Sequence, residues 1–184
     1  MNIYAKEFNN AVANVSKAVS KDEYRPVFYK IHIQSVDDGI MFESSDGFRI
    51  HRSTCYIIDS CQEFDILVDH LGKVPTDVEV ISISIKDNKL VVYDKSYDFE
   101  QNDGKFLKSE EIFPKRNEEM CISFNAKYLK DALQQFKTGD IIELQFEQDF
   151  KTNGIDHLKP ITIRGCNGCV DINMVLPVRT KEDY

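Results

Sequence analysis

The sequence has no apolar run approaching the roughly 20 residues that a membrane span needs, and its histidines and glycines are few and dispersed. The glycines are isolated and fall at turns, so no Gly-rich loop that could cradle a phosphate is present. His32, His51, His70 and His157 have no Ser or Cys partner in the surrounding sequence, so no nucleophile–base pair is indicated. Carboxylates are abundant but sit in solvated runs such as Glu110-Glu111 and Glu118-Glu119. Nothing here points to catalysis, a cofactor or a metal. The first ten residues carry Lys6, Glu7 and three asparagines, which is not the pattern of a secretory leader. The expected location is the cytoplasm.

Five cysteines, an odd number, stand at Cys55, Cys61, Cys121, Cys166 and Cys169, and without an export signal they are expected to be reduced. Cys166-Asn167-Gly168-Cys169 has the spacing of a metal or thiol-exchange pair. Zinc would need two further ligands, and no second pair stands at a suitable distance. Asn-Gly between apolar runs is instead a strong hairpin signal, which puts these cysteines on either side of a tight turn.

What is present is an ordered, acidic chain. Hydrophobic residues make up 42% and aromatics 11% of 184 residues, enough for a buried core. The net charge of -8 argues against a surface that binds phosphate everywhere, although basic residues could still gather on one face.

The pattern along the chain repeats. Phe8, Val12, Val15 and Val19 form one helical stripe, ended before Arg25-Pro26. Strands are expected over Val27–Gln34, Ile40–Glu43 and Phe48–Ile58, with turns at Asp37-Asp38-Gly39 and Ser44-Ser45-Asp46-Gly47. Phe64, Leu67, Val68, Leu71 and Val74 have helical spacing up to Pro75. Strands follow at Val78–Ile85, Lys89–Tyr93 and Tyr97–Glu100, with turns at Asp87-Asn88 and Lys95-Ser96. The charged stretch Asn102–Glu119 is expected to be a connector. A third round has a short strand at Cys121–Phe124, an N-cap at Asn125 and a stripe of Tyr128, Leu129, Ala132, Leu133 and Phe136, with Gly139 ending the helix. Strands at Ile141–Phe146, Ile161–Arg164 and Val170–Leu176 flank a polar loop over Gln148–His157. One helix followed by about three strands thus recurs at a spacing of roughly 60 residues. The fold class is α+β, with helices on one face of antiparallel sheets.

Two stretches resemble the bacterial DNA polymerase III beta subunit, the sliding clamp family. Arg25-Pro26-Val27-Phe28 through Phe42-Glu43-Ser44-Ser45-Asp46-Gly47-Phe48-Arg49-Ile50 is similar to the family's middle domain. Phe124-Asn125-Ala126-Lys127-Tyr128-Leu129-Lys130-Asp131-Ala132-Leu133 through Val175-Leu176-Pro177-Val178-Arg179 is similar to its last half-domain. Between them, Asn88-Lys89-Leu90 and Asp103-Gly104-Lys105-Phe106 to Phe113-Pro114 resemble the close of the middle domain. The resemblance covers nearly the whole chain and places a clamp-like domain over 1–118 and a half-domain over 119–184. Phe48 stands where the family has histidine, and Leu176-Pro177-Val178 replaces its methionines. The family's first domain and the first half of its last have no counterpart here.

The resemblance implies a DNA-clamp-like fold and a non-enzymatic processivity factor that holds duplex DNA without reading its sequence. The phosphate contacts it suggests are Lys6, Lys17, Lys21, Arg25, Lys73, Lys127, Lys130 and Lys137, interrupted by Asp65, Asp69 and Asp131. The plainer reading is a set of solvated helix faces. It also implies a groove for short linear peptides of a DNA polymerase or repair protein. One side would be Phe28, Ser45, Gly47, Phe48, Arg49, Ile50 and Pro114, and the other Met174, Val175, Leu176, Pro177, Val178 and Arg179. Here the plainer reading makes Val175 and Leu176 strand core and Asp46-Gly47 a hairpin turn. One chain holds three half-units where the family ring has about a dozen, so encirclement implies a homo-oligomer of about four copies. The alternative is a peptide-binding regulator or decoy that no longer encircles DNA.

Overall fold

The computed structural model describes residues 1–21, 24–59, 62–115, 121–134, 136–149, 154–155, 159–165 and 172–177. The chain divides into two compact units, Met1–Phe113 and Pro114–Tyr184.

Unit 1 opens with a short strand, β1 (Asn2–Tyr4), that runs straight into helix α1 (Ala5–Val15). The apolar stripe holds for Phe8, Val12 and Val15, which are buried together with Ala5 and Ala11, and a 3-10 turn over Ser16–Ala18 extends the helix, while Val19 lies beyond both and is half-buried. Val27 to Tyr29 are not strand. Pro26 sits at the start of a 3-10 turn, Pro26–Tyr29, where its fixed φ suits a helical turn. Three strands of the meander follow: β2 (Ile31–Val36), β3 (Gly39–Ser45) and β4 (Ile50–Tyr56). Gly39 is required at the first hairpin, because a Cβ there would meet the Cys55 carbonyl oxygen at 2.7 Å.

The second expected helix does not form. Asp65–Val68 is a strand, β5, and the described residues after it run without helix to β6 (Val80–Lys86). The apolar spacing was real, since Phe64, Ile66, Leu67, Val68, Leu71 and Val74 are all buried. Sheet pairing with β2 captures the first of these, and Gly72 and Pro75 weaken the rest as helix. Asn9 of α1 ties down the loop that results: its Nδ2 donates to Val74 O at 3.0 Å and its Oδ1 accepts from Val74 N at 2.9 Å.

The remaining strands are β7 (Lys89–Val92), β8 (Lys95–Tyr97) and β9 (Glu100–Gln101). Asp87 and Asn88 both take positive φ, as a two-residue hairpin turn requires. Lys95-Ser96 belongs to β8 and not to the expected turn, which falls at Tyr93-Asp94. Two antiparallel sheets result, in the orders β4-β3-β2-β5-β9 and β1-β6-β7-β8. Their core joins Phe8, Phe42, Ile33, Ile66, Ile81, Ile83 and Leu90, with Phe8 and Phe42 edge to face at 5.8 Å. The charged stretch after β9 is more than a connector. Asn102, Phe106 and Ser109 are buried, and Ser109–Ile112 forms a one-turn helix, α2.

In unit 2, Asn125 caps helix α3 (Ala126–Leu133), its side chain accepting from Lys127 N at 2.9 Å. The helix stops before Gly139, whose positive φ serves a later turn. Strands β10 (Ile142–Gln145), β13 (Ile161–Gly165) and β14 (Ile172–Val175) make an antiparallel meander, with a hairpin of β11 (Gln148–Asp149) and β12 (Gly154–Ile155) in the expected loop. Cys121–Phe124 is described but forms no strand. Ile161, Ile163 and Val175 are buried under Leu129, Ala132, Leu133 and Phe136. The expected Cys166–Cys169 turn lies outside the described residues.

Candidate partner groove and nucleic-acid face

Alternation along β2, β3 and β4 sends Ile33, Phe42 and Cys55 toward α1 and leaves His32, Glu43 and Arg52 on the other face. His32 lies opposite Glu43, and Glu43 opposite Arg52, so one imidazole, one carboxylate and one guanidinium form a row across three strands. Glu43 is fully buried. Its Oε1 accepts from Arg52 Nε at 2.6 Å, and its Oε2 accepts from His32 Nδ1 at 3.3 Å and Ser109 Oγ at 2.8 Å. His32 Nε2 reaches Asp65 Oδ1 at 2.7 Å. Burial alone would raise the Glu43 pKa, but hydrogen bonds from His32, Ser109 and Arg52 hold it below the ordinary value. Burial likewise works to lower the His32 pKa, and the bonds to Glu43 and Asp65 more than offset it, so the value is raised.

This row fastens the 102–113 segment to the sheet. Arg52 Nη2 donates to Ser109 Oγ at 2.7 Å, Nη1 meets Glu110 at 2.6 Å, and the guanidinium lies 4.7 Å from the Phe113 ring centre. Asn102 bonds Asp65 and accepts from Phe106 N, and the Phe106 ring lies 4.9 Å from that of His32. None of this is visible in the local sequence. Residues 32, 43 and 52 meet only through sheet register.

At the end of the β3–β4 hairpin the proposed peptide residues come together in part. The Ser45 hydroxyl accepts from Gly47 N at 3.1 Å, while Asp46 Oδ1 accepts from Phe48 N and Arg49 N. Arg49 is braced by Asp46 at 2.9 Å and by Lys17 O at 2.7 Å. Gly47 has φ +87, and a side chain there would press on Arg25 and approach the Phe28 ring to 3.5 Å. Phe48 projects from this braced turn, 96% exposed. Ile50 continues into an open groove of about 460 Å³ along β4, which Arg52, Thr54 and Phe113 also line. Of the residues expected for the second wall, all in unit 2, Val175 is buried as strand core, whereas Met174 and Leu176 are exposed and Pro177 is half-buried. Pro114 is exposed in unit 2, and Val178 and Arg179 lie outside the described residues.

The basic residues stand on several elements of the two units. Lys6 and Lys73 share a cleft of about 800 Å³ beside α1 with Glu7, Asp77 and Glu79. Lys73 stands on a loop and not on the expected helix. Lys17, Lys21 and Arg25 are exposed after α1, Lys127 and Lys130 are exposed on α3, and Lys137 is exposed beyond it. Asp65 does not interrupt a basic helix face, since it belongs to β5 and meets His32. Cys55 is buried, which together with the Glu7 charge pushes its thiol up to about 12. Among the described residues no group of three or more His, Cys, Asp or Glu could hold a metal, and no helix is long and apolar enough to cross a membrane.

No protein-family model and no curated protein matches the sequence. Solved structures do match the fold. The beta subunit from the DNA polymerase of Streptococcus pyogenes aligns at a TM-score of 0.70 and 13% identity, covering 97% of this chain and 50% of that one. The DNA polymerase sliding clamp from Bacillus subtilis aligns at 0.57 and 13% identity, covering 98% and 64%. The Helicobacter pylori beta clamp bound to a DNA ligase peptide aligns at 0.54 and 15% identity, covering 96% and 56%. The chain therefore has the sliding-clamp fold, in a length between half and about two thirds of the solved chains it matches.

Proposed function

We propose that this protein is a clamp-like processivity factor, which holds duplex DNA without sequence preference and tethers a polymerase or repair protein through a peptide groove. On this reading unit 1 corresponds to the middle clamp domain and unit 2 to the last half-domain, and neither performs catalysis. The fold carried along nearly the whole chain is the main support. The braced Ser45–Ile50 turn beside the β4 groove is the local support, because a rigid wall of mixed polarity suits capture of a peptide's Leu or Phe side chains. A clamp of this fold holds a DNA ligase peptide in Helicobacter pylori.

Two measurements together test the reading. A fluorescent polymerase-type peptide should bind wild type and be lost in Ile50→Asp. The protein should also stay on nicked circular DNA and slide off once the circle is cut. A second reading, a peptide-binding regulator, draws on the three carboxylates beside Lys6 and Lys73, which oppose phosphate contact. Peptide binding without retention on the circle selects it. Absence of both sinks the clamp reading.

A further inference from the structure

The 102–113 segment lies across the row of His32, Glu43 and Arg52, and three of the points that fasten it touch His32 or a carboxylate that His32 holds. At its start, Asn102 Nδ2 donates to Asp65 Oδ2 at 3.1 Å, and Asp65 Oδ1 meets His32 Nε2 at 2.7 Å. In its middle, the Phe106 ring packs 4.9 Å from the imidazole. Towards its end, Ser109 Oγ donates to Glu43 Oε2 at 2.8 Å, and His32 Nδ1 reaches the same oxygen at 3.3 Å. His32 is 4% exposed beneath this cover. One titratable side chain thus lies under a strap that is fastened on both sides of it.

Protonation decides how these fastenings share their hydrogens. An imidazolium donates from both ring nitrogens, which suits a carboxylate at each. A neutral ring has one N–H. With that proton on Nε2, the Nδ1 lone pair faces the buried Glu43 carboxylate. With it on Nδ1, the bare Nε2 faces Asp65 and draws Asn102 Nδ2, 3.4 Å away, off that carboxylate. Either tautomer weakens one end of the strap. The charged groups that face the ring are Glu43 from β3 and Asp65 from β5. Arg52 from β4 pairs with Glu43 and with Glu110 of the strap, and Lys30, just before β2, is engaged by Asp69 and Glu100. Burial works against the charged ring, and the bonds to Glu43 and Asp65 outweigh it, so the charge persists above the ordinary histidine value.

The far end of the strap is also a wall of the β4 groove. Arg52 donates to Glu43 and Ser109 and lies 4.7 Å from the Phe113 ring centre, and both Arg52 and Phe113 line that groove. We propose that the 102–113 segment is a proton-controlled strap, which holds the Phe113 wall in place while His32 is charged and slackens when His32 is neutral. This regulation rests on the groove being a peptide site. A partner then binds tightly on the acid side of the His32 titration and weakly on the alkaline side.

Nuclear magnetic resonance of the full chain reads the strap without any peptide. The His32 ring gives a titration midpoint, and the Phe106 amide, which donates to Asn102 Oδ1 at 2.8 Å, reports opening by hydrogen exchange. Corrected for the intrinsic rate, its protection should fall through the same midpoint, by at most about tenfold per pH unit, the limit for one proton. His32→Gln, which does not titrate, should make protection independent of pH in this range. If that variant does not fold, coincidence of the two wild-type midpoints decides. Protection that stays level while His32 titrates overturns the strap. A histidine-free fluorescent peptide should lose affinity over the same interval in wild type and not in His32→Gln. Level affinity in wild type overturns the coupling, as does a loss that survives in His32→Gln, which would belong to His51 in the same groove. A peptide that binds at no pH overturns the groove reading and this regulation with it, while the amide measurement alone decides the strap.

Discussion

Unit 1 and unit 2 are built from the same half-unit pattern, and they differ in how far it is finished. In unit 1, α1 buries five residues in a core fed by both sheets. In unit 2, α3 buries none, and only Ile161, Ile163 and Val175 are buried hydrophobics among the described residues. The helix sequences do not explain the contrast, because both are amphipathic and α3 has the better N-cap. Neighbours do. A helix and a three-stranded sheet bury one face of each, and full exclusion of water needs the second half.

Several measurements sharpen or break that comparison. Glu43→Ala leaves Arg52 and His32 without their buried partner and should cost about 3–5 kcal/mol, seen as a lower denaturant midpoint for unit 1 alone. Phe42→Ala, in the core between α1 and the sheet, should cost a similar 3–5 kcal/mol. If either change shifts unit 2 as strongly, the two units do not unfold independently. Asn125→Ala removes the α3 cap and should cost about 1 kcal/mol, confined to unit 2.

The buried row also makes unit 1 pH-dependent. The raised His32 pKa contributes stability that is fully present below 6.5 and is lost as pH climbs through the folded value. The lowered Glu43 pKa contributes stability present above 4.5 and lost as pH falls through its folded value. The midpoint of unit 1 should therefore be highest between these limits, and Glu43→Gln should flatten both flanks. Equal flanks in Glu43→Gln and wild type would remove the row from the account. The smallest expected effect on folding is that of Phe48→Ser, within about 0.5 kcal/mol because the ring is exposed. The same change should weaken peptide binding if the groove reading is right.

Much of the fold was legible. The α1 stripe, the β6–β7 turn at Asp87-Asn88, the Asn125 cap and the α+β class follow from local periodicity and turn chemistry. The expected helix at Phe64–Val74 failed because a short apolar run suits either a helix or a buried strand, and pairing with β2 chose the strand. Of the candidate site, the Asp46-Gly47 turn was readable as a turn, whereas the bracing of Arg49 by the Lys17 carbonyl was not. The basic residues could be counted along the chain, but whether they share a face could not.

The sequence by itself determined where the chain turns, which helices are amphipathic and how the apolar residues alternate, because these depend on neighbours a few positions away. Tertiary structure alone decided that β1 and β5 trade places between halves, and that His32, Glu43 and Arg52 stand in one buried row. Both depend on strand register, and a one-residue slip would send every side chain of the row to the opposite face. The same reason explains unit 2. Its sequence pattern specifies a helix and strands, and only the structure gives the order β10-β13-β14 among the described residues.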